Sequence, residues 1–239
     1  MNPSQQLENP YSVSGELFAA DAVLSERLAF LRRVYAHVFG AILLLVGLEY
    51  LYMTTGAGQA IFSLFGNLWW VALLGFLAVT WIAQQLAWSG ASPAVQYLGL
   101  GLYVIAESVF VAPAILFAMV YNPNLIGQAA FLTLLITGVL TLYIVLSRQD
   151  FSFLRNALFV GGVGLFAVGL GSAVFGYSLG LLFSAGVVTL MCGYLLYETS
   201  LIMHHLPTTA HVAAALMIFG SVTELFRHLI YLLSWVNDD

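Results

Sequence analysis

The sequence predicts an all-α integral membrane protein with seven transmembrane helices, six of them around a glycine-rich central helix. Three observations lead there. Of 239 residues, 62% are hydrophobic and 7% are charged, and the mean hydropathy is +0.97. Soluble chains average about 25% charged residues, so this much apolar surface requires lipid as its solvent. The apolar runs, at 34–54, 66–88, 95–118, 125–147, 156–176, 178–203 and 211–235, each approach or exceed the roughly 20 residues that cross a hydrocarbon core at about 1.5 Å per residue. They are also continuous, without the short alternating strands of a barrel.

The elements follow in order. Residues 1–13 are polar, carry Pro3 and Pro10, and read as an unstructured tail. From Gly15 the pattern changes: Leu17, Leu24, Leu28 and Leu31 recur at helical spacing opposite Glu16, Asp21, Glu26 and Arg27. This is the signature of an amphipathic helix lying in the membrane interface and leading into the first span. Residues 1–30 are therefore expected as a cytoplasmic N-terminal segment and 31–239 as the transmembrane domain. Glu8, Glu16 and Asp21 stand where a signal peptide would need basic and then apolar residues. The breaks between spans carry turn chemistry at Thr54 to Gly58, Ser89 to Pro93, Asn122-Pro123-Asn124, Arg148 to Ser152, Gly176 and Pro207. Span five holds Gly161, Gly162, Gly164, Gly169 and Gly171. Small residues let helices approach closely, so this span is expected at the centre.

Orientation follows from arginine, because lysine is absent. Arg27, Arg32 and Arg33 precede span one, and Arg148 and Arg155 flank the loop between spans four and five. Seven spans put both groups on one side, which the positive-inside rule makes cytoplasmic, with the N-terminus in and the C-terminus out.

Composition also excludes functions. There is no basic stripe for nucleic acid. One cysteine, Cys192, excludes an intrachain disulfide and a cysteine-based metal cluster, and reads as a buried inert thiol. The run Gly162-Val163-Gly164-Leu165-Phe166-Ala167 matches a dinucleotide pattern by letter but lacks the preceding strand. The pattern at Gly176-Tyr177-Ser178-Leu179-Gly180 matches a serine-hydrolase elbow, which needs a strand–turn–helix. An intramembrane hydrolase pairing Ser178 with His228 is the least supported reading. No catalytic set, metal centre or cofactor is expected. His204 and His205 are adjacent, point to different helix faces, and are read as interfacial caps of span six.

The candidate functional residues are the ionisable groups inside the spans: Glu49, Glu107, Glu198, Glu224, Arg227 and His228, with His37 nearer the cytoplasmic end of span one. Such groups are costly in a bilayer and default to functional candidates. At about 1.5 Å per residue, Glu198 lies roughly 8 Å in from the cytoplasmic end of its span and Glu224 roughly 20 Å in. Glu107 and Glu49 come to roughly 18 Å and 22 Å from the same side. Ser221, Glu224 and His228 share one stripe of span seven. Two readings stand side by side: an acidic, cation-accessible cavity whose proton occupancy follows pH, or a structural network of Glu224 and Arg227 tying spans together. Glu49, near the outer end, is expected to reach the headgroups.

Three segments carry a family resemblance. The first is Glu26-Arg27 followed by Phe30-Leu31-Arg32-Arg33-Val34-Tyr35. The second is Ser147-Arg148-Gln149-Asp150-Phe151-Ser152-Phe153-Leu154. The third is Gly193 through Tyr197-Glu198-Thr199 to Ile202, continued by Ala215 to Phe219 and Leu225-Phe226. In this order and spacing they resemble the Bax inhibitor-1 family, also called the transmembrane Bax-inhibitor-motif family, over about residues 26–235. The resemblance implies six helices around a central one and a pH-sensitive calcium leak. It further implies a gate of two aspartates near the cytoplasmic ends of spans six and seven. Glu198 holds the first aspartate's place. The second falls on Ser221, which cannot ionise, and Glu224 follows three residues later. Span two has Gln84 and Gln85 where some relatives place a basic latch. The resemblance thus implies Glu198, Ser221 and Glu224 as pH sensor and gate, with Glu107, Arg227 and His228 along the ion pathway. The expected partners are the lipid bilayer and calcium or other cations in transit, in the inner (plasma) membrane. A bacterial branch implies an alternative, a regulator that binds a membrane-bound quality-control protease through residues 1–25.

Overall fold

The computed structural model describes residues 18, 19 and 24–237. The expectations for the N-terminal tail, for most of the amphipathic segment before Leu24, and for Asp238-Asp239 lie outside these residues. Eight α-helices follow: α1 Leu24–Thr55, α2 Ala57–Asn67, α3 Trp69–Ala87, α4 Pro93–Tyr121, α5 Asn124–Ser147, α6 Arg155–Phe175, α7 Leu181–His204 and α8 His211–Val236. Seven of them are long and apolar enough to span a membrane. The exception, α2, has 11 residues and rises only about 16 Å, too short to cross. It occupies much of the stretch 55–65, which reads in the sequence as a plain connection. Gly56, at φ 79°, makes the turn between α1 and α2.

Helix ends follow local chemistry. Pro93 opens α4 at a position where its missing N–H is no loss, after an extended Ser92. Arg148 closes α5 and Gly176 closes α6, both in the left-handed conformation that ends helices. A 3-10 turn, Ser152–Leu154, leads into α6.

Both arginine groups lie at one end of the bundle. Ala19 N–H donates to the Leu206 carbonyl at 3.0 Å, fixing the chain before α1 against the α7–α8 loop. The α5–α6 loop reaches the same end of α7, where Phe151 N–H donates to Ser200 Oγ at 2.8 Å.

The central helix is α8, which corrects the expectation for span five. In α8, 56% of the apolar window is buried, against 6% in the glycine-rich span that contains α6. Helices α1, α3, α4, α5 and α7 all pack on α8, whereas α6 packs on α7 and on the 3-10 turn before it. The glycines do allow close approach, but to one neighbour: Gly161 and Gly162 of α6 face Leu190 and Tyr194 of α7. The opposite face of α6, with Phe159, Val163 and Val174, is exposed to lipid. Helix α8 is small or apolar on nearly every side from Val212 to Phe219 and is surrounded accordingly.

Candidate functional site

The site is built on one face each of α7 and α8. Residues at three- and four-residue spacing stack along a helix. On α8 the stripe runs Met217, Gly220, Ser221, Glu224, Arg227, His228, Tyr231 and Ser234. On α7 it runs Phe183, Val187, Met191, Tyr194 and Glu198.

Near the arginine-bearing end, Ser221 Oγ donates to Glu198 Oε2 at 2.9 Å. Both residues are 7% exposed. The two residues at the places of the implied gate are therefore in direct contact. Glu224 stands apart from it: its carboxylate pairs with Arg227, and His228 Nε2 lies 3.3 Å from its other oxygen. Arg227 also lies over the Phe110 ring, 5.9 Å from its centre. The gate candidates thus divide into a Glu198–Ser221 contact and a Glu224–Arg227–His228 cluster. Glu107, 6% exposed, makes no direct bond to either but lies within electrostatic reach of Glu224 and Arg227. It accepts a hydrogen bond from Thr223 Oγ1 at 3.3 Å and another from Tyr103, tying α4 to α8.

Three cavities lie in series along this face. The first, about 430 Å³, is lined by Gln84, Trp88, Tyr103, Tyr194, Glu198 and Ser221 among others. The second, about 670 Å³, holds Glu224, Arg227 and His228. The third, about 560 Å³, reaches Ser184, Ser234 and Trp235. Met191 and Tyr194 line both the first and the second. Leu179, Phe183, His228 and Tyr231 line both the second and the third.

Consecutive residues of α7 connect the contact to three other elements. Glu198 engages α8. Thr199 lies 3.4 Å from the Tyr35 hydroxyl of α1, which also meets Thr141 of α5 at 2.5 Å. Ser200 accepts from Phe151 N–H and donates to Asp150 Oδ1 at 3.2 Å. His205 Nε2 donates to Asp150 Oδ2 at 2.9 Å, so one of the paired histidines binds the α5–α6 loop. Asp150 lies outside the spans. Burial alone would raise its carboxyl, but hydrogen bonds from the Ser152 backbone and from His205 outweigh this and hold it at about 2.

Two further expectations meet geometry. Glu49 does not reach the headgroups: it is 7% exposed and neither carboxylate oxygen has a hydrogen-bond partner. The neighbouring contacts explain why. His37 meets Tyr97 of α4, and Tyr52 meets Ser108, so α1 runs parallel to α4 and Glu49 sits near the height of Glu107, facing inward. Ser178 is exposed in the α6–α7 turn, while His228 is directed at Glu224 and its Nδ1 is unpartnered.

Sequence reasoning missed Tyr35, Tyr103, Tyr194 and Thr223. For Tyr103 and Tyr194 the available signal was tyrosine inside a span, away from the interfacial level where its hydroxyl is readily hydrated.

Comparisons with known proteins show which family the chain resembles. Residues 27–238 match the family described as inhibitor of apoptosis-promoting Bax1. The chain is 29% identical to protein lifeguard 4 of Mus musculus over 237 residues, 98% of this chain and 96% of that protein. It is 25% identical to Bax inhibitor 1 of Schizosaccharomyces pombe over 229 residues, 92% of this chain and 81% of that protein. It is 31% identical to the Golgi anti-apoptotic protein of vaccinia virus strain Lister over 136 residues, 56% of each. With seven membrane-spanning helices and a family match over nearly all the described residues, this chain belongs to the Bax inhibitor-1 family.

Proposed function

We propose that this protein is a pH-sensitive, calcium-permeable leak of the inner (plasma) membrane, with its N-terminus in the cytoplasm. The observation that carries the reading is the run of cavities along α8 that begins at the buried Glu198–Ser221 contact. Calcium takes six to eight oxygen ligands, and passage rather than storage suits a path where protein oxygens are sparse and water supplies the rest. Glu198, Ser221, Tyr103 and Gln84 offer oxygens in the first cavity.

The sign of the pH dependence follows from the partners of Glu198. No cationic side chain pairs with it among the described residues. A buried carboxylate held by a single hydroxyl is poorly solvated. Ionisation therefore favours an arrangement that admits water and a cation. Calcium uptake into liposomes is expected to rise from about pH 6 to about pH 8, and Glu198→Gln is expected to flatten that dependence. Uptake that is the same function of pH in both proteins refutes the assignment.

A further inference from the structure

We propose that Met191 and Tyr194 form the movable constriction of the pathway, separating the Glu198 cavity from the Glu224 cavity. The proposal deepens the leak reading and rests on it. Four observations carry it. Met191 and Tyr194 line both cavities, so the boundary between the two runs through their side chains. Tyr194 lies one helical turn from Glu198, about 6 Å further along the axis, which carries its side chain past the Glu198–Ser221 contact to about the level of Glu224. Its hydroxyl donates to the Leu158 carbonyl of α6 at 3.3 Å, which ties the ring to α6. That hydroxyl rests over Gly162, where an added Cβ would come within 3.4 Å of it.

The materials of this boundary suit a gate. Helix α6 is bound to the rest of the bundle through α7 and the 3-10 turn, so the anchor of the Tyr194 hydroxyl sits on the most peripheral span. Methionine has three flexible torsions and re-packs readily. Release of one hydrogen bond and a rotamer change at two half-buried side chains would join cavities of about 430 Å³ and 670 Å³. The charged groups on either side need not move.

Two measurements test it. The first is calcium uptake into liposomes by the full chain carrying Tyr194→Ala, Met191→Ala or Tyr194→Phe. The alanine variants are expected to leak at least about tenfold faster, and Tyr194→Phe, which keeps the ring and loses the hydrogen bond, about fivefold faster. The second uses Met217→Cys, which lines the Glu198 cavity, in a Cys192→Ser background, with a membrane-impermeant thiol reagent added from the Glu224 side. Labelling is expected to be slow with Tyr194 and several-fold faster with Tyr194→Ala. Unchanged labelling together with unchanged uptake overturns the constriction. Absence of uptake in every variant overturns the leak reading instead, and the labelling rate then still decides the constriction.

Discussion

Gly99 of α4 packs directly on the backbone of α3, and it offers a sharp test of the packing. A Cβ added at residue 99 would lie 2.6 Å from the Ala83 carbonyl oxygen, 2.7 Å from the Ala87 nitrogen and 3.0 Å from the Leu86 Cβ. Two of these are backbone atoms, so no side chain can turn away. Restoring ordinary contact requires α3 and α4 to part by about 0.8 Å. Overpacking of this kind costs about 1–3 kcal/mol, and the backbone obstruction places Gly99→Ala at the upper end. Alanine recovers about 1 kcal/mol through helix propensity, leaving a net loss of about 2 kcal/mol. Gly101, two residues on, has nothing within 4 Å of its added Cβ. Gly101→Ala should therefore gain about 1 kcal/mol from the same propensity. The assay is thermal unfolding of both variants in one detergent. The two midpoints are expected about 6 °C or more apart, on opposite sides of wild type. Equal midpoints, or the reverse order, refute the α3–α4 crossing drawn here. The crossing also positions Gln84 of α3, and Trp88 just after it, against the Glu198 cavity.

Two other predictions concern charge. Glu49 is buried with both oxygens unpartnered, so Glu49→Leu should stabilise the protein by about 1–3 kcal/mol in the same unfolding assay; a lower midpoint contradicts its isolation. Asp150 is held at about 2, below its usual 3.8, by Ser152 and His205. A lowered carboxyl contributes its stabilisation above the usual value and loses it as the pH falls through the lowered one. Pepsin cleavage beside Phe151 and Phe153 should therefore rise as the pH drops from about 4 to about 2. In Asp150→Asn it should be high at both ends of that range, and equal cleavage profiles contradict the latch.

Much of the fold was legible because lipid imposes simple rules. Seven long apolar runs and two arginine groups at one end required seven spans, and the breaks at Gly176, Asn122-Pro123 and Arg148 fall where they were expected. Helix α2 was hidden because an 11-residue apolar helix and an apolar loop look alike in composition. The centre of the bundle was misread because glycine reports close approach, not the number of neighbours. Residues 156–175 carry no ionisable group and can face hydrocarbon without penalty. Span seven carries Glu224, Arg227 and His228 and cannot, and that contrast was the better signal. Within the site, Glu198 and Ser221 met because motif spacing fixes their heights on neighbouring antiparallel helices. Glu107 met Thr223 because α4 and α8 run parallel in register, which no local pattern encodes, whereas Tyr103 stands one turn before Glu107 on the same helix, a pairing that helical spacing does carry.

The proposed leak requires Glu198 to exchange a proton as its pathway opens. Infrared difference spectroscopy of the protein in lipid, stepped from acid to alkaline pH, reads this directly. The predicted result is a protonated-carboxyl stretch that disappears as calcium uptake rises, is missing in Glu198→Gln, and persists in Glu107→Gln. An identical band in wild type and Glu198→Gln, or one that disappears while uptake stays constant, contradicts the account.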